Sequence, residues 1–167
     1  MTFNVGTKIT GVLLTHPERT IPVFEKYFKA GLVESTLLLQ TETVNRTPVS
    51  AGFLRRSIGS DVRGNGLNMT GVVGSPLVYA LPVEQGAAPH FPPEGPIALW
   101  VTRHSLNYIK FGYEISVAQL AHLIARKINI TGIKPTWMFR DALEASTSRI
   151  QKILQVAARN VVNVLGI

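Results

Sequence analysis

The sequence predicts an α+β fold, an antiparallel sheet of three to four strands packed against a long N-terminal helix and C-terminal helices. Three observations carry this expectation. Apolar residues recur at helical spacing from Ile21 to Leu39, short β-forming runs punctuated by Gly and Pro fill residues 55–83, and helical spacing returns over residues 117–164. At 167 residues the chain reads as a single domain, 1–167, large enough to bury a core without staples.

Phe3 to Leu14 is rich in Val, Ile, Thr and Gly and reads as a first strand. Thr15-His-Pro-Glu18 has the spacing of a capping box, with Pro17 tolerated in the first turn. Ile21, Phe24, Phe28, Leu32 and Leu39 then form one stripe, widened by Tyr27 and Leu38, and the helix is expected to run to about Asn45 before Pro48 ends it. Arg55 to Arg63 reads as a strand, Gly64-Asn-Gly66 as a hairpin turn, Leu67 to Gly74 as the returning strand and Leu77 to Val83 as a further short one. Residues 85–115 cluster prolines and glycines with Phe91, Trp100, Tyr108, Phe111 and Tyr113, which predicts a long Pro/aromatic-rich loop or arm ordering against a neighbour. Within it, Ile97 to His104 fits a short helix or a strand. Ser116-Val-Ala-Gln119 opens a helix carrying Val117, Leu120, Ala121, Ile124 and Ile128, which Gly132 ends. A last helix is expected from about Thr136 to Val164, with Ile150, Ile153, Leu154, Ala157, Val161 and Val164 on one face.

The chain has no cysteine, so disulfides, thiolate metal sites and cysteine nucleophiles are excluded. No apolar run approaches the roughly 20 residues that span a bilayer, and the first residues lack a signal-peptide pattern, so a soluble protein made in the cytoplasm is expected, with no membrane partner. The net charge of +7 is uneven: Arg126, Lys127, Lys134, Arg140, Arg149, Lys152 and Arg159 face only Asp141 and Glu144 in the last third. Such a face suits nucleic acid or an acidic protein, and equally suits plain solvation. Arg149, Lys152 and Arg159 are the candidates for a DNA-channel or acidic-partner face. Low charged content, 16%, beside 46% hydrophobic residues points to surface reserved for other subunits.

Catalytic and cofactor chemistry finds little footing. His16, His90, His104 and His122 have no metal-ligand spacing and none is expected beside a carboxylate; the carboxylates are scattered; Gly64-x-Gly66 precedes a strand rather than a phosphate-binding helix. No enzyme activity, cofactor or metal is expected. Arg55 and Arg56, at an expected strand start, point to opposite faces, so one of them can meet a neighbour's carboxylate while the other is solvated or packs its stem on an aromatic. Glu84 is the natural opposite charge. Arg55, Arg56, Glu84, Phe91, Trp100 and Tyr108 are therefore the candidate subunit or partner interface.

Three ordered motifs resemble the tail-completion, or head–tail joining, proteins of long-tailed double-stranded DNA bacteriophages. They are Thr47-Pro48 with Gly52, Leu54, Arg55, Ser57 and Ile58; Tyr79-Ala80 with Val83, Glu84 and Gly86; and Pro135 with Phe139, Ala142 and Leu143. Pro92-Pro93, Trp100 and the stretch from Ile124 to Pro135 also look like the longer members of that family. The likeness covers about residues 40–145 and departs from the family pattern at Ser50, Ala51 and Gln85. It implies a structural protein of the virion neck. Such a protein forms a homo-oligomeric ring, six- or twelve-fold, between a head-completion, stopper or adaptor protein and a tail terminator or tail tube protein. Double-stranded DNA passes through it without sequence-specific contact. A tail-terminator ring, or a cytoplasmic DNA-binding protein using the basic C-terminal third, are the alternatives.

Overall fold

The structure, a computed structural model, describes residues 2–3, 16–49, 52–103, 109–110 and 113–166. Most of the expected first strand, with Thr15, Ser50, Ala51, His104, Tyr108 and Phe111, lies outside the described residues. The chain is a mixture of helix and sheet, mostly helical among the described residues, and it divides into two compact units.

The first unit takes residues 1–47, 55–76 and 138–167. Its frame is α1 (Pro17–Arg46) packed on α6 (Met138–Leu165), the two long helices the apolar spacing predicts. His16, not Thr15, occupies the N-cap of α1 and makes no side-chain cap; Thr20 Oγ1 instead donates to the His16 carbonyl at 2.9 Å. Phe24, Phe28 and Leu32 of α1 meet Ile150, Leu154, Ala157 and Val161 of α6, with the two phenylalanine rings stacked 4.1 Å apart. Of the expected stripe only Val164 turns outward, while Leu165 of the same turn packs against the seam. Buried Thr43 and Thr47 return their hydroxyls to the Leu39 and Thr43 carbonyls, so β-branched polar residues sit in the seam without unpaired donors. Gly31 is a point of close approach, since a Cβ there would lie 3.2 Å from the Ala157 Cβ.

A hairpin of β2 (Gly59–Asn65) and β3 (Asn68–Gly74) completes this unit, and β1 (Thr2–Phe3) adds two residues along the other edge of β3. Asn65 pairs with Asn68, so the two-residue loop is Gly66-Leu67 rather than the Asn-Gly step. Gly66 alone of the two loop residues has positive φ, 54°, and its N–H reaches Glu25 Oε2 of α1 at 3.1 Å. The Gln40 amide bridges Ile58 and Ser60, donating to the Ile58 carbonyl and accepting from the Ser60 hydroxyl. Together these contacts dock the hairpin on α1.

Two expectations are corrected here. Arg55 and Arg56 do not start a strand: α2 (Phe53–Ser57) is a short helix and β2 begins only at Gly59. Their expected opposite orientation across a sheet therefore does not arise. Leu77 to Val83 is likewise not a strand. It is a turn leading into α3 (Ala80–Gln85), where the missing N–H of Pro82 falls in the first turn and breaks no helical bond.

The second unit takes residues 48–54 and 77–137. The stretch expected as a Pro/aromatic-rich loop holds α4 (Glu94–Arg103), the helical option of the two open for Trp100. Its Pro96 is tolerated because it too lies in a first turn. A two-residue ladder, β4 (Ile109–Lys110) and β5 (Tyr113–Glu114), follows. Helix α5 (Val117–Thr131) opens with the expected capping box, in which Ser116 Oγ accepts from Gln119 N and Gln119 Oε1 accepts from Ser116 N. It packs on α4 through Val101, Ala121 and Ala125.

Ala87 and Ile133 exchange backbone hydrogen bonds of 3.0 and 2.9 Å, flanked by Gly86 (φ 77°) and Gly132 (φ 69°). A Cβ on either glycine would fall within 2.4 or 2.3 Å of the opposing carbonyl oxygen, so this crossing needs both. The pairing continues with Thr136 N on the Val83 carbonyl and Trp137 N on the Glu84 carbonyl, and holds Trp137 at φ 51°, a conformation costly for a side chain of this size.

Two stability measurements test the α1–α6 seam. Gly31→Val should lower unfolding free energy by roughly 1–3 kcal/mol in a urea titration, because the seam has no room for the added methyls. The same change at Gly95, where a Cβ meets nothing within 4 Å, should shift it by less than about 0.5 kcal/mol. Ser35 and Ser146 are fully buried and their hydroxyls have no hydrogen-bond partner. Ser35→Ala and Ser146→Ala should each therefore raise stability by about 1 kcal/mol; a loss in both would show that the hydroxyls are satisfied.

Candidate functional site

The most distinctive surface is an open apolar cleft of about 550 Å³ within the second unit. Its first wall comes from Pro48, Val49 and Gly52 with Phe53 and Leu54, the segment that follows α1 and enters α2. Tyr79 and Val83 supply a second wall at the start of α3. The third is one face of α4: Pro96, Leu99, Trp100 and Arg103 fall at i, i+3, i+4 and i+7, which places them on a single side of the helix. Val101, on the other side, is buried. Large side chains that would ordinarily be interior stay open to solvent, Phe53 at 55%, Leu99 at 60% and Trp100 at 40% exposure. Arg103 is the only charged residue among the described lining residues, and it forms no ion pair with any described residue. Its described lining residues present apolar side chains with one cationic rim.

Of the sequence-predicted interface residues, Trp100 lies in this cleft. Arg55 does not: its Nε donates to the Thr47 carbonyl at 2.9 Å, satisfying the C-cap of α1. Arg56 is exposed on α2. Glu84 lies buried on α3, at 9% exposure. Phe91 is exposed, with its ring 5.9 Å from that of His122. His122 Nδ1 lies 2.7 Å from Glu94 Oε1, and His16 Nδ1 lies 3.4 Å from Glu18 Oε1, so two histidines do sit beside carboxylates, against expectation. The contact from α5 to the start of α4 spans 28 residues and had no local signature. No group of three or more metal-ligating side chains occurs among the described residues, and no described helix is long and apolar enough to cross a membrane. Phe53, Tyr79, Leu99 and Arg103 were not anticipated; the 96, 99, 100, 103 spacing inside the Pro-rich stretch was the available signal.

The three basic candidates share the outer side of α6, away from Ile150, Leu154 and Val161. Lys152 and Arg159 are exposed, with Lys152 edging a shallow depression beside Tyr27, Glu34 and Asn160. Arg149 is partly committed, its Nη1 lying 3.4 Å from Glu42 Oε1, while Arg46 holds the other oxygen.

No protein-family model, no curated protein and no solved structure matches this chain.

The Glu42 carboxyl is held below its ordinary value of 4.5, chiefly by the Arg46 hydrogen bond, with partial desolvation opposing and the charges of Arg46 and Arg149 adding to the lowering. A carboxyl depressed in the folded state stabilises above its unfolded pKa and loses that contribution as pH falls through the folded value. Glu42→Gln should therefore melt lower than the parent at pH 7, and the two melting curves should converge as pH drops below about 4.5. Molar salt should narrow the gap at pH 7, since the pair is open to solvent. A gap that persists at acid pH would show that Glu42 acts by packing.

Proposed function

We propose that this chain is a structural protein of the neck of a tailed double-stranded DNA phage, a homo-oligomeric ring component that joins the head connector to the tail around the path of the DNA. One observation carries the reading. Residues from two of the three motifs behind the family likeness, Pro48, Gly52 and Leu54 from one and Tyr79 and Val83 from another, line the same apolar cleft with Trp100, although they are far apart in the sequence. Exposed aromatic and aliphatic side chains gathered in one cleft are what a protein built to dock on neighbours presents. The role is non-enzymatic, and a small three-stranded antiparallel sheet on α1 with a Pro/aromatic-rich surface segment bearing Trp100 suits it. The virion neck, assembled in the host cytoplasm, is the corresponding location. The exposed Lys152 and Arg159 suit a face near the phosphate backbone, held by charge alone.

Disruption of the gene should leave DNA-filled or fillable heads and separate tails, visible by negative-stain electron microscopy, and the protein should be present at fixed stoichiometry in purified virions. Normal infectious particles formed without it would overturn the reading. A tail-terminator role would show instead as tails of uncontrolled length, and a cytoplasmic DNA-binding role as absence from virions.

A further inference from the structure

We propose that the apolar cleft of the second unit is a docking site for an acidic apolar segment of a different protein, one that seats aliphatic or aromatic side chains on Phe53, Leu99 and Trp100 and places a carboxylate on Arg103. This rests on reading the cleft as a docking surface and adds the chemistry of its occupant.

Shape and charge together choose that occupant. The cleft, about 550 Å³ in volume, is walled by three separate segments and offers amphipathic aromatics of the kind that anchor interfaces. A purely apolar occupant would leave Arg103 facing it without a counter-charge, whereas a carboxylate gains a planar two-pronged donor beside a surface that excludes water. Two of the unit's acids are committed elsewhere, since Glu84 is buried and Glu94 meets His122. An acidic partner is favoured over a second copy at this cleft because the chain carries 17 basic against 10 acidic residues, a like charge that contacts between copies in a ring have to offset on other surfaces. An acidic partner is drawn in by the same field.

The test uses the full-length protein, immobilised, to select from a library of random 12-residue peptides. Enriched peptides should carry Asp or Glu beside Leu, Ile, Phe or Trp. Fluorescence anisotropy of one enriched peptide should then show binding weakened about tenfold in Arg103→Glu and about thirtyfold in Trp100→Ala. Arg103→Glu should in turn favour the same peptide with its acid changed to Lys. Both side chains are exposed, so circular dichroism and melting temperature should stay at the parent's values; Leu99→Ala serves as the second cleft variant should Trp100→Ala melt early. The proposal is overturned by failure to enrich any peptide. It is also overturned by enriched peptides that lack acids, or by equal affinity for the parent and Arg103→Glu. Self-association on sedimentation that Trp100→Ala abolishes would make a second copy the occupant, and overturn it as well. Because the binding is read on isolated protein, peptide recognition with absence from virions would remove the neck role and leave the docking site, while the reverse would remove only the site.

Discussion

The close approach of α1 and α6 at Gly31 and Ala157 is the constraint on which the first unit depends. Two helices from opposite ends of the chain interdigitate Phe24, Phe28 and Leu32 with Ile150, Leu154 and Val161 around a place where Gly31 faces Ala157 and leaves little room for a side chain. The hairpin has no independent footing and uses α1 as its platform through Gln40 and Glu25. Closing this unit means bringing residues more than a hundred positions apart into contact, with residues 77–137 carried as an insertion between β3 and α6. That loop entropy is offset by one continuous apolar seam rather than by many local contacts.

The second unit is held on different terms. Among its described residues the buried apolar side chains are few and mostly small: Leu54, Ala80 and Val101, with Ala121 and Ala125 of α5. Backbone pairing compensates: the Gly86–Ala87 strand meets Gly132–Ile133, and the chain then follows Val83 and Glu84 to Trp137. Small side chains between α4 and α5 let those helices approach closely, and the large ones, Phe53, Tyr79, Leu99 and Trp100, are left on the cleft. This reverses the usual partition of large apolar residues to the inside, and the reversal identifies the cleft as the part of the unit shaped for something other than stability.

Much of this architecture was legible in the sequence. Both long helices followed from spacing sustained over many turns, and the Ser116 box with Gly132 marked both ends of α5, because caps and periodicity are local physics. Short apolar runs misled. Arg55–Ile58 and Leu77–Val83 are too brief for periodicity to separate helix from strand, and the outcome was set by Gly52 and by Pro82 falling in a first turn. The prolines around α4 concealed it for the same reason, since proline punctuates a helix only beyond its first turn. The hairpin was placed correctly but its loop was shifted, because register is settled by cross-strand pairing and not by the most turn-prone dipeptide. Of the site, only Trp100 was anticipated. The cleft is made from three segments, and the pairing of His122 with Glu94 spans two helices, so apart from the 96, 99, 100, 103 spacing of one wall no local pattern shows either.

The distribution of charge and apolar surface over the two units also bears on how each surface can work. Lys152 and Arg159 project from the outer side of α6 in the first unit, while the cleft belongs wholly to the second. A cationic helix face attracts any polyanion over a Debye length and discriminates little between them. The cleft acts only on contact and discriminates by shape, with a single arginine to fix orientation. Long-range attraction without specificity and short-range specificity without reach are complementary, and a chain that carries both on separate units can alter either without disturbing the packing that supports the other. The seam at Gly31 tolerates no such freedom, and this sets what can vary in this protein apart from what cannot.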